Sequence, residues 1–283
     1  MNNGVSIGRA SLKRVKWFLL LGMLVMGAAT ANDLDTNIKL ASGGTEAVTA
    51  PISELHALKD RLKKLFNGAN IADWQQLSLQ QANHQGYDTV QELPAAKLGR
   101  GFFAIKTRST KNWLLQAPHA DSDLYTGKIA SRLFLEGEFK AAQWNTVKRS
   151  VSDMAHTPDT YWQAFTQVFA EQYPDGNIIQ IHGYDQAIRK TEVGETSDMI
   201  LSAGHDAAPL WLQQVASCLK KTFPQRVSLY PLDVKELGGT TNVQGQLLRS
   251  LGHHGFLHIE MSKTMRLELL DNAEVRKRFL DCL

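Results

Sequence analysis

The sequence predicts an α/β protein with a mixed, largely parallel central sheet and helices on both of its faces. Two observations carry this expectation. Short apolar runs alternate along the chain with stretches of helical spacing, the pattern of βα units. Several of those runs also stop abruptly at a polar residue of catalytic type, as in Leu114-Leu115-Gln116-Ala117-Pro118-His119-Ala120-Asp121-Ser122-Asp123. An open α/β sheet binds its ligands there, beyond the carboxyl ends of its strands.

Residues 1–31 read as a secretion signal. Arg9, Lys13, Arg14 and Lys16 form a basic start, Trp17 to Ala28 an apolar core, and Ala29-Thr30-Ala31 a small-x-small cleavage site. The apolar core falls short of the about 20 residues that a membrane span needs, and no later stretch is long enough. The expectation is cleavage after Ala31, a periplasmic or secreted product, and no stable membrane insertion afterwards. The leader carries four basic residues and no acidic one, so 31 Lys+Arg against 28 Asp+Glu becomes 27 against 28 without it. The basic balance belongs to the leader and gives no reason to expect nucleic acid as a partner. The 252 residues that follow suffice for one α/β domain with a full core.

Residues 32–98 are expected to be a lead-in with a helical segment, and 99–283 the α/β domain. Residues 32–50 are small and polar and read as a flexible lead-in. Pro51 opens a helix in which Leu55, Leu58, Leu62 and Leu65 recur at helical spacing and which Gly68 stops; its Lys59, Arg61, Lys63 and Lys64 read as a solvated face. The Gln-rich stretch 73–98 gives no periodic signal. Phe102 to Ile105 reads as a strand, and the strand leading to His119 follows. Gly127 to Phe134 reads as a helix. So does 158–173, whose Tyr161, Trp162, Phe165 and Phe169 form a core stripe. Asn177 to Ile181 is a buried strand ending at His182-Gly183, and Asp198 to Ser202 another, followed by Gly204-His205-Asp206. Pro209 opens a helix to about Thr222, Val227 to Tyr230 is a strand, and 243–251 a helix with Asn242 as its cap. His253 and His254 read as an exposed turn. Phe256 to Met261 is a strand carrying His258 and Glu260, and a charged helix from Asn272 to Leu280 closes the chain.

One histidine after a strand means little. His119 with Asp121 and Asp123, then His182, His205 and Glu260, all at strand ends, suit a zinc hydrolase. Zinc accepts imidazole and carboxylate ligands and leaves one position for water, which it acidifies while polarising a carbonyl. Glu260 lies between Ile259 and Met261 in a strand expected to be buried. Burial raises a carboxylate's pKa toward the range of a general base working near neutrality. His205 and His258 are candidates for orienting ligands.

The motif Ala117-Pro118-His119-Ala120-Asp121-Ser122-Asp123-Leu124-Tyr125-Thr126-Gly127, then Ile181-His182-Gly183, then His258-Ile259-Glu260-Met261-Ser262, in that order, resembles the phosphorylase/hydrolase-like fold of zinc peptidases and amidohydrolases. Zinc carboxypeptidases, N-formylglutamate amidohydrolases and poly-gamma-glutamate hydrolases share that fold. The resemblance covers roughly residues 102–270. It implies His119 and His182 as zinc ligands and Glu260 as the base. The carboxypeptidase spacing would put the acidic ligand at position 122, which is Ser122 here. Alignment on Thr126 points instead to Asp123, with Asp121 and His205 as alternative ligands. Asn145 and Arg149 loosely resemble a substrate-binding Asn/Arg pair. Arg149, Arg249 and Arg266 are the candidates for holding a substrate carboxylate or an oxyanion.

Cys218 and Cys282 are either bridged, as an oxidising compartment permits, or two buried thiols; without a CxxC a thioredoxin-type role has no support. Residues 32–283 hold no Gly-x-Ser-x-Gly elbow, so a serine hydrolase has none either. The expected function is an exported, zinc-dependent hydrolase of amide or peptide bonds acting on a small-molecule or peptide substrate. The alternative is an exported metal- or ligand-binding protein of the same fold without activity.

Overall fold

The computed structural model describes residues 1–2, 30–45 and 49–283. The expected secretion signal, but for its ends, lies outside the described residues. In chain order the elements are α1 (Ala31–Ala41), α2 (Ile52–Phe66), β1 (Leu79–His84), β2 (Tyr87–Glu92), β3 (Phe102–Lys106), β4 (Trp113–Ala117), α3 (Thr126–Glu136), β5 (Ala141–Trp144), α4 (Tyr161–Gln172), β6 (Asn177–Gly183), α5 (Glu192–Thr196), β7 (Met199–Ser202), α6 (Leu210–Thr222), β8 (Val227–Leu229), α7 (Val243–Ser250), β9 (Phe256–Met261), α8 (Lys263–Asp271) and α9 (Ala273–Leu280). Among the described residues no helix is long and apolar enough to cross a membrane.

The strands form one nine-stranded mixed sheet in the order β1-β2-β3-β5-β4-β6-β9-β7-β8. Its centre, β5-β4-β6-β9, is parallel throughout. β1, β2 and β3 join antiparallel on one side, and β7 runs antiparallel to β9 on the other. Both faces are covered, as a parallel centre requires. Leu115, Ala117, Ile179, Ile181, Leu257 and Ile259 pack with α1, α3, α6, α8 and α9. Their alternate neighbours Leu114, Ile178 and Phe256 pack with α2, α4 and α7.

Several stretches differ from the sequence reading. Residues 32–50 are not merely a flexible lead-in, because 31–41 form α1. Thr30 caps it in a reciprocal box with Asp33, and Leu34, Ile38 and Ala41 are buried in the core. Only three apolar residues mark that face, too few for a periodicity to stand out. The Gln-rich stretch holds the β1–β2 hairpin, joined at Gln85-Gly86 with Gly86 in the left-handed region. Its exposed polar positions break up the apolar run a strand would show, and it belongs to the same sheet as β4. β5, α5 and α8 are further elements the pattern did not reveal. His253 is buried rather than exposed: its Nδ1 accepts the Gly255 N–H at 3.2 Å and Nε2 lies 3.3 Å from the Tyr173 carbonyl.

Cys218 on α6 and Cys282 just after α9 are bridged, with Cα atoms 5.5 Å apart. The bridge spans a sequence separation of 64 residues, a loop whose closure in the unfolded chain is worth about 2–4 kcal/mol. Cys282→Ser is therefore expected to lose about that much stability in a denaturant titration. An unchanged midpoint in the variant and in the reduced wild type would show that the C-terminal helix holds without the bridge.

Candidate metal centre

The site grows out of one face of the parallel strands. On the face covered by α4 and α7, the first in-register row is apolar: Ala141, Leu114, Ile178 and Phe256. Two residues on, toward the carboxyl ends, the row is Gln143, Gln116, Gln180 and His258, all buried. Two further on, His182 stands opposite Glu260. The period-two alternation of strands thus sets a polar layer over an apolar one.

His119 and Asp123 come from the turn after β4. The Ser122 and Asp123 N–H groups both donate to the His119 carbonyl, at 2.9 and 2.8 Å. This single turn puts residues i and i+4 on one side. Gly127 lets the turn close against α3, since a Cβ there would stand 2.7 Å from the Ala120 carbonyl oxygen.

His119 Nδ1 lies 3.2 Å from Asp123 Oδ2 and 3.2 Å from His182 Nδ1, and His182 Nδ1 lies 3.6 Å from the same Oδ2. The outward nitrogens are engaged elsewhere: His119 Nε2 with Asp153 Oδ1 at 2.7 Å and His182 Nε2 with Gln180 Oε1 at 2.8 Å. Both partners can accept, which places a hydrogen on each Nε2 and leaves each Nδ1 turned inward. The Gly183 N–H holds Asp123 Oδ2 in place at 3.0 Å.

These residues fit a divalent cation. Ligand atoms bonded at about 2.0–2.1 Å in a tetrahedral shell lie about 3.3–3.4 Å apart, close to the three separations found. The electrostatics agree. Burial works to lower the His119 pKa, yet hydrogen bonds to Asp123 and Asp153 outweigh it and raise it. Burial works to raise Asp123, yet His119 and His182 hold it well below the usual carboxylate range. Positive charge is favoured at their junction, and a cation supplies it in place of protons.

Glu260 faces this cluster from β9. A ring nitrogen of His182, one of His258 and a Glu260 oxygen lie within 4.8 Å of one another. Its side chain is 13% exposed, and His258 Nε2 is 3.7 Å from Oε1. Burial, reinforced by the charge of Asp123, pushes its pKa up to about 8. His258 is kept neutral by burial and by the neighbouring His182 and His119, and its Nδ1 is buried without a partner. Arg266, buried on α8, bonds the carbonyls of Ser262 and Tyr184 at 3.3 Å each. Its guanidinium lies against Gly183, where a Cβ would stand 1.9 Å from Nη1. The glycine after His182 is what admits it. Arg149 stands at the mouth, 49% exposed, 3.1 Å from Asp153 Oδ2 and 4.0 Å from Asp123 Oδ1.

The structure brings together His119, Asp123, His182 and Glu260, with Arg149 and Arg266 at their edge. It does not bring in Asp121, which is exposed beyond the turn. Nor does it bring in His205: β7 runs antiparallel to β9, so its carboxyl end lies by Phe256, at the opposite edge of the sheet. Asn145 is committed to the backbone. It donates to the Pro118 and Val147 carbonyls at 2.9 and 2.8 Å and accepts the Val147 N–H, tying the end of β5 to that of β4 rather than offering itself to a substrate. Sequence reasoning missed Asp153, which also faces His156 at 3.1 Å, and Gln180. Gln180 was visible in principle as a polar residue two positions before His182 inside an apolar strand.

Neither a protein-family model nor a curated protein sequence matches the chain. Among solved structures it is similar to an N-formylglutamate amidohydrolase from Ralstonia eutropha, at 9% identity and TM-score 0.46, over 65% of this chain and 95% of that one. It is similar to an aspartoacylase family protein from Mesorhizobium loti, at 10% identity and TM-score 0.41, over 73% and 70%. It is also similar to a metallo-carboxypeptidase from Burkholderia cenocepacia, at 10% identity and TM-score 0.37, over 77% and 66%. The likeness is one of fold.

Proposed function

We propose that the protein is an exported zinc-dependent hydrolase of amide or peptide bonds, of carboxypeptidase or amidohydrolase type. The observation that carries this reading is the convergence of His119 Nδ1, His182 Nδ1 and Asp123 Oδ2 at 3.2, 3.2 and 3.6 Å, with Glu260 on the adjacent strand. Two imidazoles and a carboxylate are a donor set that zinc favours, and three protein ligands leave a position open. When bound, the ion supplies Lewis-acid chemistry, polarising a carbonyl and acidifying water. Export is supported by the leader composition of residues 1–31 and by the Cys218–Cys282 bridge.

The chain's own groups do the rest. Glu260 takes one proton from the attacking water as its oxygen bonds to the acyl carbon. It returns that proton to the nitrogen as the C–N bond breaks, so water is added across the bond and the carboxylate is regenerated. Its raised pKa suits it to hold a proton between those two events. Asp153 holds the His119 ring with Nδ1 inward. Arg149 at the mouth and Arg266 beside Gly183 are placed to orient a carboxylate-bearing substrate and to stabilise negative charge on the carbonyl oxygen. Two positive side chains, Arg149 and Arg266, border the cluster, which favours an anionic substrate such as a free peptide C-terminus or an N-acyl amino acid.

Elemental analysis of protein purified without chelators is expected to find about one zinc per chain, lost in His119→Ala and in His182→Ala. A metal-free wild type would rule the reading out. Glu260→Gln is expected to keep the zinc and to slow hydrolysis of N-acyl amino acids or peptides roughly 10²–10⁴-fold. Should the variant turn over as fast as the wild type, the base is another residue. Should the wild type bind zinc and cleave none of these amides, the chain is a binding protein of this fold.

A further inference from the structure

Beneath the metal cluster lies a chain of buried amides that the chemistry above does not use. Thr166 on α4 donates its hydroxyl hydrogen to the Trp162 carbonyl at 3.0 Å. Its oxygen accepts from Gln116 Nε2 at 2.9 Å and Gln143 Nε2 at 3.0 Å. Gln116 Oε1 in turn accepts from Gln180 Nε2 at 2.8 Å, and Gln180 Nε2 also donates to Gln244 Oε1 at 3.2 Å. Gln180 Oε1 accepts from His182 Nε2 at 2.8 Å and from Asn242 Nδ2. These amides and hydroxyl are buried, so each mismatched contact would leave a desolvated polar group unpaired.

The direction of this chain is set at both ends. At one end, the Thr166 hydrogen is committed to its own helix, so the oxygen must accept. At the other, Asn242 is the cap of α7 and spends its Oδ1 on the N–H groups of Gln244 and Gly245 at 3.0 and 3.2 Å. It can therefore show Gln180 only its NH₂. Turning Gln180 over would set its NH₂ against that of Asn242 and its oxygen against Gln116 Oε1, and turning Gln116 over would set its NH₂ against that of Gln180 and its oxygen against the Thr166 oxygen. Gln180 must present its oxygen to His182, which must then carry its hydrogen on Nε2.

We infer that Thr166, Gln116 and Gln180, with the α7 cap Asn242, are positioning residues that lock His182 as the Nε2–H tautomer and so keep its Nδ1 lone pair available to a divalent cation. Thr166 acts on the metal through two glutamines, without touching the metal cluster. The inference deepens the metal-centre reading and rests on it only for its consequence for metal affinity.

Two measurements test it. In metal-free wild type labelled with ¹⁵N-histidine, long-range ¹H–¹⁵N correlation is expected to show His182 protonated on Nε2 and bare on Nδ1. Zn²⁺ titrated against a chromophoric chelator is expected to bind roughly 10–100-fold more weakly to Thr166→Val and to Gln180→Leu. Thr166→Ser, which keeps the hydroxyl, should bind as the wild type does. Wild-type His182 protonated on Nδ1 overturns the inference, as does a folded Thr166→Val with wild-type affinity and tautomer. If Thr166→Val does not fold, the wild-type tautomer still decides. An Nε2–H His182 in a wild type that binds no Zn²⁺ supports the tautomer assignment while defeating the proposed function.

Discussion

Three lone-pair-bearing atoms point at one another across 3.2–3.6 Å: His119 Nδ1, His182 Nδ1 and Asp123 Oδ2. Two bare imidazole nitrogens so placed repel unless positive charge lies between them, so the arrangement must be imposed by its surroundings. The parallel pairing of β4 with β6 sets the spacing between the two histidines. The turn from His119 to Asp123 brings in the carboxylate, and the Gly183 N–H fixes which oxygen faces inward. Asp153 and Gln180 hold the two rings from behind. Each contact is modest alone, but together they hold a geometry whose separations fit a cation bound between the three atoms.

The central strands and the residues that close them could be read from the chain. Leu114-Leu115 before His119, Ile178-Ile179 before His182, and Phe256-Leu257 before His258 and Glu260 are buried on both faces, so their apolar runs are continuous and their polar endings stand out. What failed did so for physical reasons. His205 also follows an apolar run, but a run of four residues carries no sign of its direction, and β7 proved antiparallel. Asn145 has the composition of a ligand group, yet its amide is consumed by two local bonds to Val147 and by one to Pro118 that depends on β5 lying beside β4. Asp153 sits in an irregular segment without periodicity, and only the tertiary fold carries it to His119. α1 was missed because helix-forming strength there comes from a cap and from packing, which three apolar residues do not advertise.

The polar row beneath the site raises a question of cost. Burying five amides and a hydroxyl where Leu or Val would pack gains nothing unless each group is paired, and even then the net stabilisation is small. The return is in definiteness. A leucine layer would leave the His182 ring free to turn about χ2 and to exchange its proton between nitrogens. A chain of amides anchored on a helix side chain and on a helix cap admits one ring orientation and one tautomer. The apolar row one step down has no such task and is built from alanine, leucine, isoleucine and phenylalanine.

The same economy separates the two carboxylates that face each other across the site. Asp123 accepts the Gly183 N–H and lies between His119 and His182, and these neighbours hold it well below the usual carboxylate range despite its burial. Glu260 sits one strand further on, with only the neutral His258 at 3.7 Å and Asp123 as a like charge, and burial lifts its pKa to about 8. Their intrinsic acidities are nearly equal, so the difference belongs entirely to what surrounds them. In the proposed reaction one would hold positive charge continuously and the other would take up a proton and release it. Such a division between neighbouring carboxyl groups is what hydrolytic chemistry near neutral pH requires of a site.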